Sequence, residues 1–224
     1  MQFISELISK FESNVNEENA LAMEAYLKNL FSLYGVKAPL RKQLLKQTVQ
    51  EYKSELSHKN IIPIVTNLYN KPKRELHYCA IELADKFLKK KYKIQAIDFI
   101  KDLIITNSWW DSVDFIAKHI LGNYLIQFPD EIGRIITMFS SSENMWLNRS
   151  AILFQLGYKD KTDATILFDI CLEHKSSSEF FIQKAIGWSL REYSKVNPDE
   201  VVSFVTTAGL KPLSQKEALK RINK

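Results

Sequence analysis

The sequence predicts an all-α fold in which pairs of helices stack into a curved solenoid, and three observations lead there. First, apolar residues recur at three- and four-residue steps, as in Ile81, Leu83, Ala84, Phe87 and Leu88 or Phe115, Ile116, Ile120 and Leu121. Strict alternation is nowhere sustained, so no strand is demanded. Second, glycine and proline are scarce, six of each, and several fall where helices should begin or end. Third, similar apolar runs start at Cys79-Ala80-Ile81, Ser150-Ala151-Ile152 and Lys184-Ala185-Ile186, 71 and 34 residues apart, close to two periods and one period of about 35. The missing member falls at Asp114-Phe115-Ile116. A period of that size holding two helices marks a helical solenoid, although any helical bundle yields some such coincidences.

Taken in order, Pro39 suits the first turn of a helix running on through Arg41, Leu44 and Leu45. Ser108 or Asn107 can cap the helix that follows, with Asp111 favoured by its positive end. Asn197-Pro198-Asp199 closes one helix and opens the next, and Gly209 with Pro212 ends the segment after it. About a dozen helices with short connections imply antiparallel neighbours. A chain of 224 residues, 46% hydrophobic, can bury a core without metals or cross-links, and the whole, residues 1–224, is expected to form a single domain.

The formal net charge of +5 suits a polyanionic partner without demanding one. Cys79 and Cys171 lie far apart in apolar patterns and read as buried thiols in a reducing compartment. Met1–Glu12 is amphipathic and lacks the apolar core of a signal peptide, and no stretch approaches 18 uncharged apolar residues. A cytoplasmic protein is expected. No phosphate-binding glycine loop, HExxH or paired CxxC occurs, and the four histidines lack metal-ligand spacing, so neither a metal nor a cofactor is expected.

Ser108-Trp109-Trp110-Asp111-Ser112-Val113-Asp114 is the most unusual segment. Trp110 and Asp114 are four apart and share a helical face. An indole beside a carboxylate can hold a cationic group, although a buried ring beside a solvated carboxylate is the plainer reading of these residues alone. Trp188 and Arg191, three apart, also share a face, and Gly187 within that helix costs about 1 kcal/mol relative to alanine, which close packing or a close ligand would explain. Arg149 offers a guanidinium that can grip phosphate bidentately, whereas Trp146 reads as core. If the register holds, Cys79, Asp114, Arg149 and Lys184, at 35-residue steps, occupy one row across successive repeats. Lys89-Lys90-Lys91 with Lys93 reads as a solvated helix end.

SWWDSVD (Ser108 to Asp114), LNRSAILFQLGYK (Leu147 to Lys159) and EFFIQKAIGWSLREYSK (Glu179 to Lys195) resemble the AlkD family of DNA alkylation repair proteins. The resemblance extends to Tyr26-Leu27-Lys28-Asn29 and to Pro212-Leu213-Ser214 with Glu217 and Ala218, so it spans essentially the whole chain. It implies a HEAT-like repeat solenoid, C-shaped with a concave DNA-binding groove. It implies hydrolysis of the N-glycosidic bond of N3- and N7-alkylated purines in duplex DNA, without drawing the base into a pocket. Trp110 and Asp114 match the family's catalytic tryptophan and aspartate, and Trp188 its other active-site tryptophan. Arg149 and Arg191 match arginines that contact the DNA backbone, and Tyr26 matches a backbone-contacting tyrosine. Where a family member has a polar amide before the helix at Pro39, this chain has Lys37, a change that bears on DNA contacts there. The expected partner is duplex DNA carrying alkylated purines, bound by a monomer. The competing readings are a non-catalytic DNA-binding relative and a protein-interaction scaffold, the common use of helical solenoids.

Overall fold

The computed structural model describes residues 1–222, and its regular structure there is helical, with one isolated parallel bridge between Ser32 and Lys73. The chain divides into two compact units, Met1–Lys91 and Tyr92–Lys224.

In the first unit, α1 (Gln2–Glu12) turns Phe3, Ile4, Leu7 and Phe11 inward and packs on α3 (Ala38–Glu51). Between them in the chain comes α2 (Glu17–Tyr26), capped by the Asn16 side chain accepting from the Asn19 N–H. As expected, Pro39 sits in the first turn of α3. α4 (Ile61–Tyr69) pairs with α5 (Arg74–Leu88), whose buried face includes Leu76, Cys79, Ala80, Leu83 and Ala84. Cys79 is fully buried, and so is Cys171 of the second unit; burial pushes each thiol up to about 12, leaving both protonated and inert. Lys89, Lys90, Lys91 and Lys93 are all solvent-exposed.

The second unit is the repeat made visible. Outer helices α6 (Ala96–Ile105), α9 (Ile132–Ser140), α11 (Ala164–Glu173) and α13 (Pro198–Thr207) alternate with inner ones. The first inner helix begins as α7 (Trp110–Phe115), passes through a π-helical stretch (Ile116–Leu121) and ends as α8 (Gly122–Gln127). The others are α10 (Met145–Leu153), α12 (Phe180–Tyr193) and α14 (Pro212–Leu219). α7 packs on α10, α10 on α12 and α12 on α14, so the inner helices form a consecutive row. α7, α10 and α12 start at residues 110, 145 and 180, two equal steps of 35, the period read from the sequence.

Local chemistry fixes the ends. Asn197 caps α13 by accepting from the Glu200 N–H, and Gly209, at φ +66, leads into Pro212 at the start of α14. The Asn148 amide reaches the carbonyls of Phe139, Ser140 and Ser142 at 3.0, 2.8 and 2.9 Å, satisfying the C-terminal end of α9 from the next inner helix. One expectation fails. Ser108 does not cap α7; its hydroxyl donates back to the Ile104 carbonyl at 2.6 Å, and the capping position falls on Trp109 in extended backbone. The hydroxyl satisfies the end of α6 before it can reach the start of α7.

Candidate active site

α7 carries Trp110 and Asp114 on one face, as their four-residue spacing requires. Across the helix contact, Arg149 of α10 brings its guanidinium to Asp114 in a forked pair. Arg149 Nε donates to Oδ1 at 2.7 Å and Nη2 to Oδ2 at 2.9 Å. The partners are 35 residues apart, so two members of the expected row do meet. The remaining terminal nitrogen, Nη1, donates to the Phe181 carbonyl on α12. Arg149 is only 4% exposed. On the sequence its guanidinium was expected at DNA phosphate; in the structure its fork is taken up by Asp114.

Burial pushes the Asp114 carboxyl above the usual carboxylate range, while Arg149 pulls it back through its hydrogen bond and charge and Asp111 adds a smaller push. Each carboxylate oxygen carries a second acceptor direction beyond the arginine bond. Asp114 also lines an open cavity of about 380 Å³. Trp110 shares that cavity from α7, and Phe180, Phe181, Lys184, Trp188 and Arg191 enter it from α12. The wall behind is aromatic: the Phe181 ring lies 5.2 Å from both Trp109 and Trp146, and these two indoles sit 5.8 Å apart. Trp146 is half-buried and packs behind the cavity, against Trp109 and Phe181. Aromatic edges and faces at these separations hold their geometry, which steadies the Phe181 backbone that receives Arg149.

The other rim is electrostatic. Glu217 of α14 accepts from Lys184 at 2.9 Å and from Arg191 at 2.7 Å. The Lys184 hydrogen bond holds the Glu217 carboxyl below its ordinary value; burial is the next influence and opposes it, and the Lys184 charge and Arg191 add further downward pulls. Gly187 explains how α14 comes so near: a Cβ there would lie 2.4 Å from the Glu217 Cβ and 2.8 Å from the Ser214 carbonyl oxygen. The close packing suggested by that glycine is therefore realised. Three cations, Arg149, Lys184 and Arg191, face two carboxylates, Asp114 and Glu217, leaving one excess positive charge on an aromatic floor. Such a surface suits an anion attached to an apolar, ring-shaped body. No cluster of His, Cys, Asp or Glu that could hold a metal ion occurs among the described residues.

Of the expected site residues, Trp110, Asp114, Arg149, Lys184, Trp188 and Arg191 line this one cavity. Tyr26, 68% exposed at the end of α2, and exposed Lys37, just before α3, belong to the first unit. Phe180, Phe181 and Glu217 were not singled out beforehand. Glu217 lies 26 residues beyond Arg191, a separation that carries no local pattern.

Comparison with known proteins gives this cavity its context. The model of a family described as DNA alkylation repair enzyme matches residues 7–222. A solved structure described as a predicted DNA alkylation repair enzyme from Enterococcus faecalis is 35% identical. It superposes with a TM-score of 0.85 over 94% of this chain and 97% of that one. AlkD2 from Streptococcus mutans has a TM-score of 0.63 at 19% identity over 82% of this chain and 90% of that one. The smu.31 protein from Streptococcus mutans UA159 has a TM-score of 0.60 at 17% identity over 94% and 98%. At those identities the last two speak to the shared helical-repeat fold alone. No curated protein matches. By the extent of the family match and the likeness to the Enterococcus protein, the chain belongs to the DNA alkylation repair enzyme family.

Proposed function

We propose that the protein is a DNA glycosylase that hydrolyses the N-glycosidic bond of N3- and N7-alkylated purines in duplex DNA. It acts as a monomer of HEAT-like repeats in cytoplasmic base excision repair. One observation carries the reading: a carboxylate, Asp114, and two indoles, Trp110 and Trp188, line the same open cavity beside an excess of positive charge.

The chemistry follows from the substrate. An N3- or N7-alkylated purine is already cationic, so it departs without a strong general acid. As the bond lengthens, positive charge grows on the deoxyribose. Asp114 stabilises that charge and orients the attacking water through the acceptor directions that Arg149 leaves unused. Arg149 contributes by fixing the carboxylate with two bonds, so little reorganisation is needed as charge develops. Trp110 and Trp188 present ring faces to the sugar, with Phe180 at the rim. Contact falls on the sugar and backbone, and the base is not drawn into the protein. Lys184 and Arg191, and in the first unit Tyr26 and Lys37, bind the phosphate backbone.

A second reading has its own observation. A buried carboxylate engaged on both oxygens by one arginine is also what a structural ion pair looks like, as in a non-catalytic DNA-binding relative. The test incubates the protein with a duplex containing one N7-methylguanine, beside Asp114→Asn, and follows base release against spontaneous depurination. Release that depends on Asp114 is expected. DNA binding with release no faster than background, for the unmodified protein, would overturn the glycosylase and leave the second reading.

A further inference from the structure

Two of the three cavity cations share a single carboxylate, and the helix geometry arranges it. Lys184 and Arg191 stand seven residues apart on α12, bracketing Gly187 and Trp188. Glu217 comes in from α14 directly over Gly187 and reaches both, at 2.9 Å and 2.7 Å. Its side chain is 11% exposed, whereas those of Lys184 and Arg191 remain 36% and 27% exposed. The carboxylate therefore sits beneath and the cations face outward. An ammonium has three donors and a guanidinium five, and each gives one bond to Glu217. Two ordered cations with donors left over, one net positive charge between them and their carboxylate, flank Trp188 at the cavity.

Building on the DNA reading above, we propose that Glu217 is a positioning residue that holds Lys184 and Arg191 as a two-point clamp for DNA backbone phosphate beside Trp188. Lysine and arginine are long side chains with many rotamers, and ordering them during folding removes that cost from binding. A carboxylate acting only through its charge does the opposite, because it repels a polyanion. The two roles therefore predict opposite signs.

Glu217→Gln raises the formal net charge of +5 by one. A charge-only role makes this variant bind DNA more tightly. Positioning makes it bind an unmodified short duplex about five- to tenfold more weakly. The slope of log affinity against log salt also becomes shallower by about 0.9 for each phosphate that the clamp no longer neutralises. Glu217→Asp keeps the charge but retracts the carboxylate by one methylene. Positioning weakens this variant too, and charge alone leaves it equal to wild type. Thermal melts fix a temperature at which the variants are folded; should Glu217→Gln melt below it, Glu217→Asp decides alone. Affinity equal to or above wild type in the variants, with an unchanged or steeper salt slope, overturns the proposal. Wild type is the control for the reading beneath it: with no salt-dependent duplex binding by wild type, the DNA reading fails and takes the clamp with it, whereas normal wild-type binding with insensitive variants removes the clamp alone.

Discussion

Each unit of the molecule holds a carboxylate in its interior, and they are treated differently. In Met1–Lys91, Glu75 has no exposure at all and accepts from three consecutive backbone N–H groups. Tyr34 donates at 3.0 and 3.1 Å to its two oxygens, and Gly35 and Val36 donate at 2.9 and 3.1 Å to Oε1. That is a backbone nest closed over an anion. The turn is made by Gly35 at φ +82, where a Cβ would lie 2.0 Å from the Asn16 carbonyl oxygen. In Tyr92–Lys224, Asp114 takes both its bonds from Arg149 and keeps its open side on a cavity. Burial alone therefore does not mark a functional acid. What matters is whether its partners close around it or leave acceptor directions for something that arrives later.

The largest effect that separates the two is on rate. Asp114→Asn is expected to slow single-turnover excision of N7-methylguanine by about a hundredfold or more, with duplex affinity retained. Glu75→Ala leaves the rate of the folded fraction near wild type. A slow Glu75→Ala enzyme or a fast Asp114→Asn enzyme would break the distinction. The pH profile sharpens it. The folded Asp114 carboxyl titrates above its ordinary value, so the folded chain holds that proton more tightly than the unfolded chain. Its contribution to stability is thus full below the ordinary value and is lost as pH rises through the raised one. Activity, which needs the anion, climbs over the same interval. The acid limb of the rate profile therefore lies above the ordinary carboxylate range and disappears in Asp114→Asn.

On stability the order reverses. Glu75→Ala strands three buried N–H groups, a cost of about 3 kcal/mol or more at 1–3 kcal/mol for each unsatisfied group. In a domain of this size that lowers the melting temperature by roughly 10 °C. A melt within a degree or two of wild type would mean water replaces the carboxylate and the nest is not a closed site. Gly187→Ala is smaller: the added methyl must push α14 away from α12, which costs about 1–3 kcal/mol. Because that shift moves Glu217, duplex affinity falls with it. Reduced stability at unchanged affinity would detach the packing from the cations.

These contrasts also explain what could be read from the chain. The 35-residue repeat was legible because stacking helix pairs must return an apolar face at a fixed interval, and it placed Asp114 opposite Arg149. The shared face of Trp110 and Asp114 and the tight packing at Gly187 were legible because helical spacing and the missing side chain are local facts. Glu75 and Glu217 were not, since a carboxylate inside a helix looks solvated until its distant partners are known. The Ser108 cap was misread because a hydroxyl between two helices can serve either, and the end of α6 wins. The π-helical stretch Ile116–Leu121 had no signal either, because its apolar spacing there also fits an ordinary helix.

The smallest effect tests what the closed carboxylate is for. The nest ends at Val36, and the next residue is Lys37, exposed at the start of α3. Glu75 thus fixes the backbone from which Lys37 projects. Lys37→Gln removes that charge and leaves every nest bond in place. The expected result is an unchanged melting temperature, a few-fold weaker affinity for duplex DNA, and a salt slope shallower by about 0.9, the signature of one phosphate contact. Salt titrations of wild type, Lys37→Gln and Glu75→Ala decide it. If Glu75→Ala loses the same slope as Lys37→Gln, the nest acts through Lys37. If Lys37→Gln keeps the wild-type slope, the closed carboxylate serves the fold alone, and the two units differ in purpose as well as in construction.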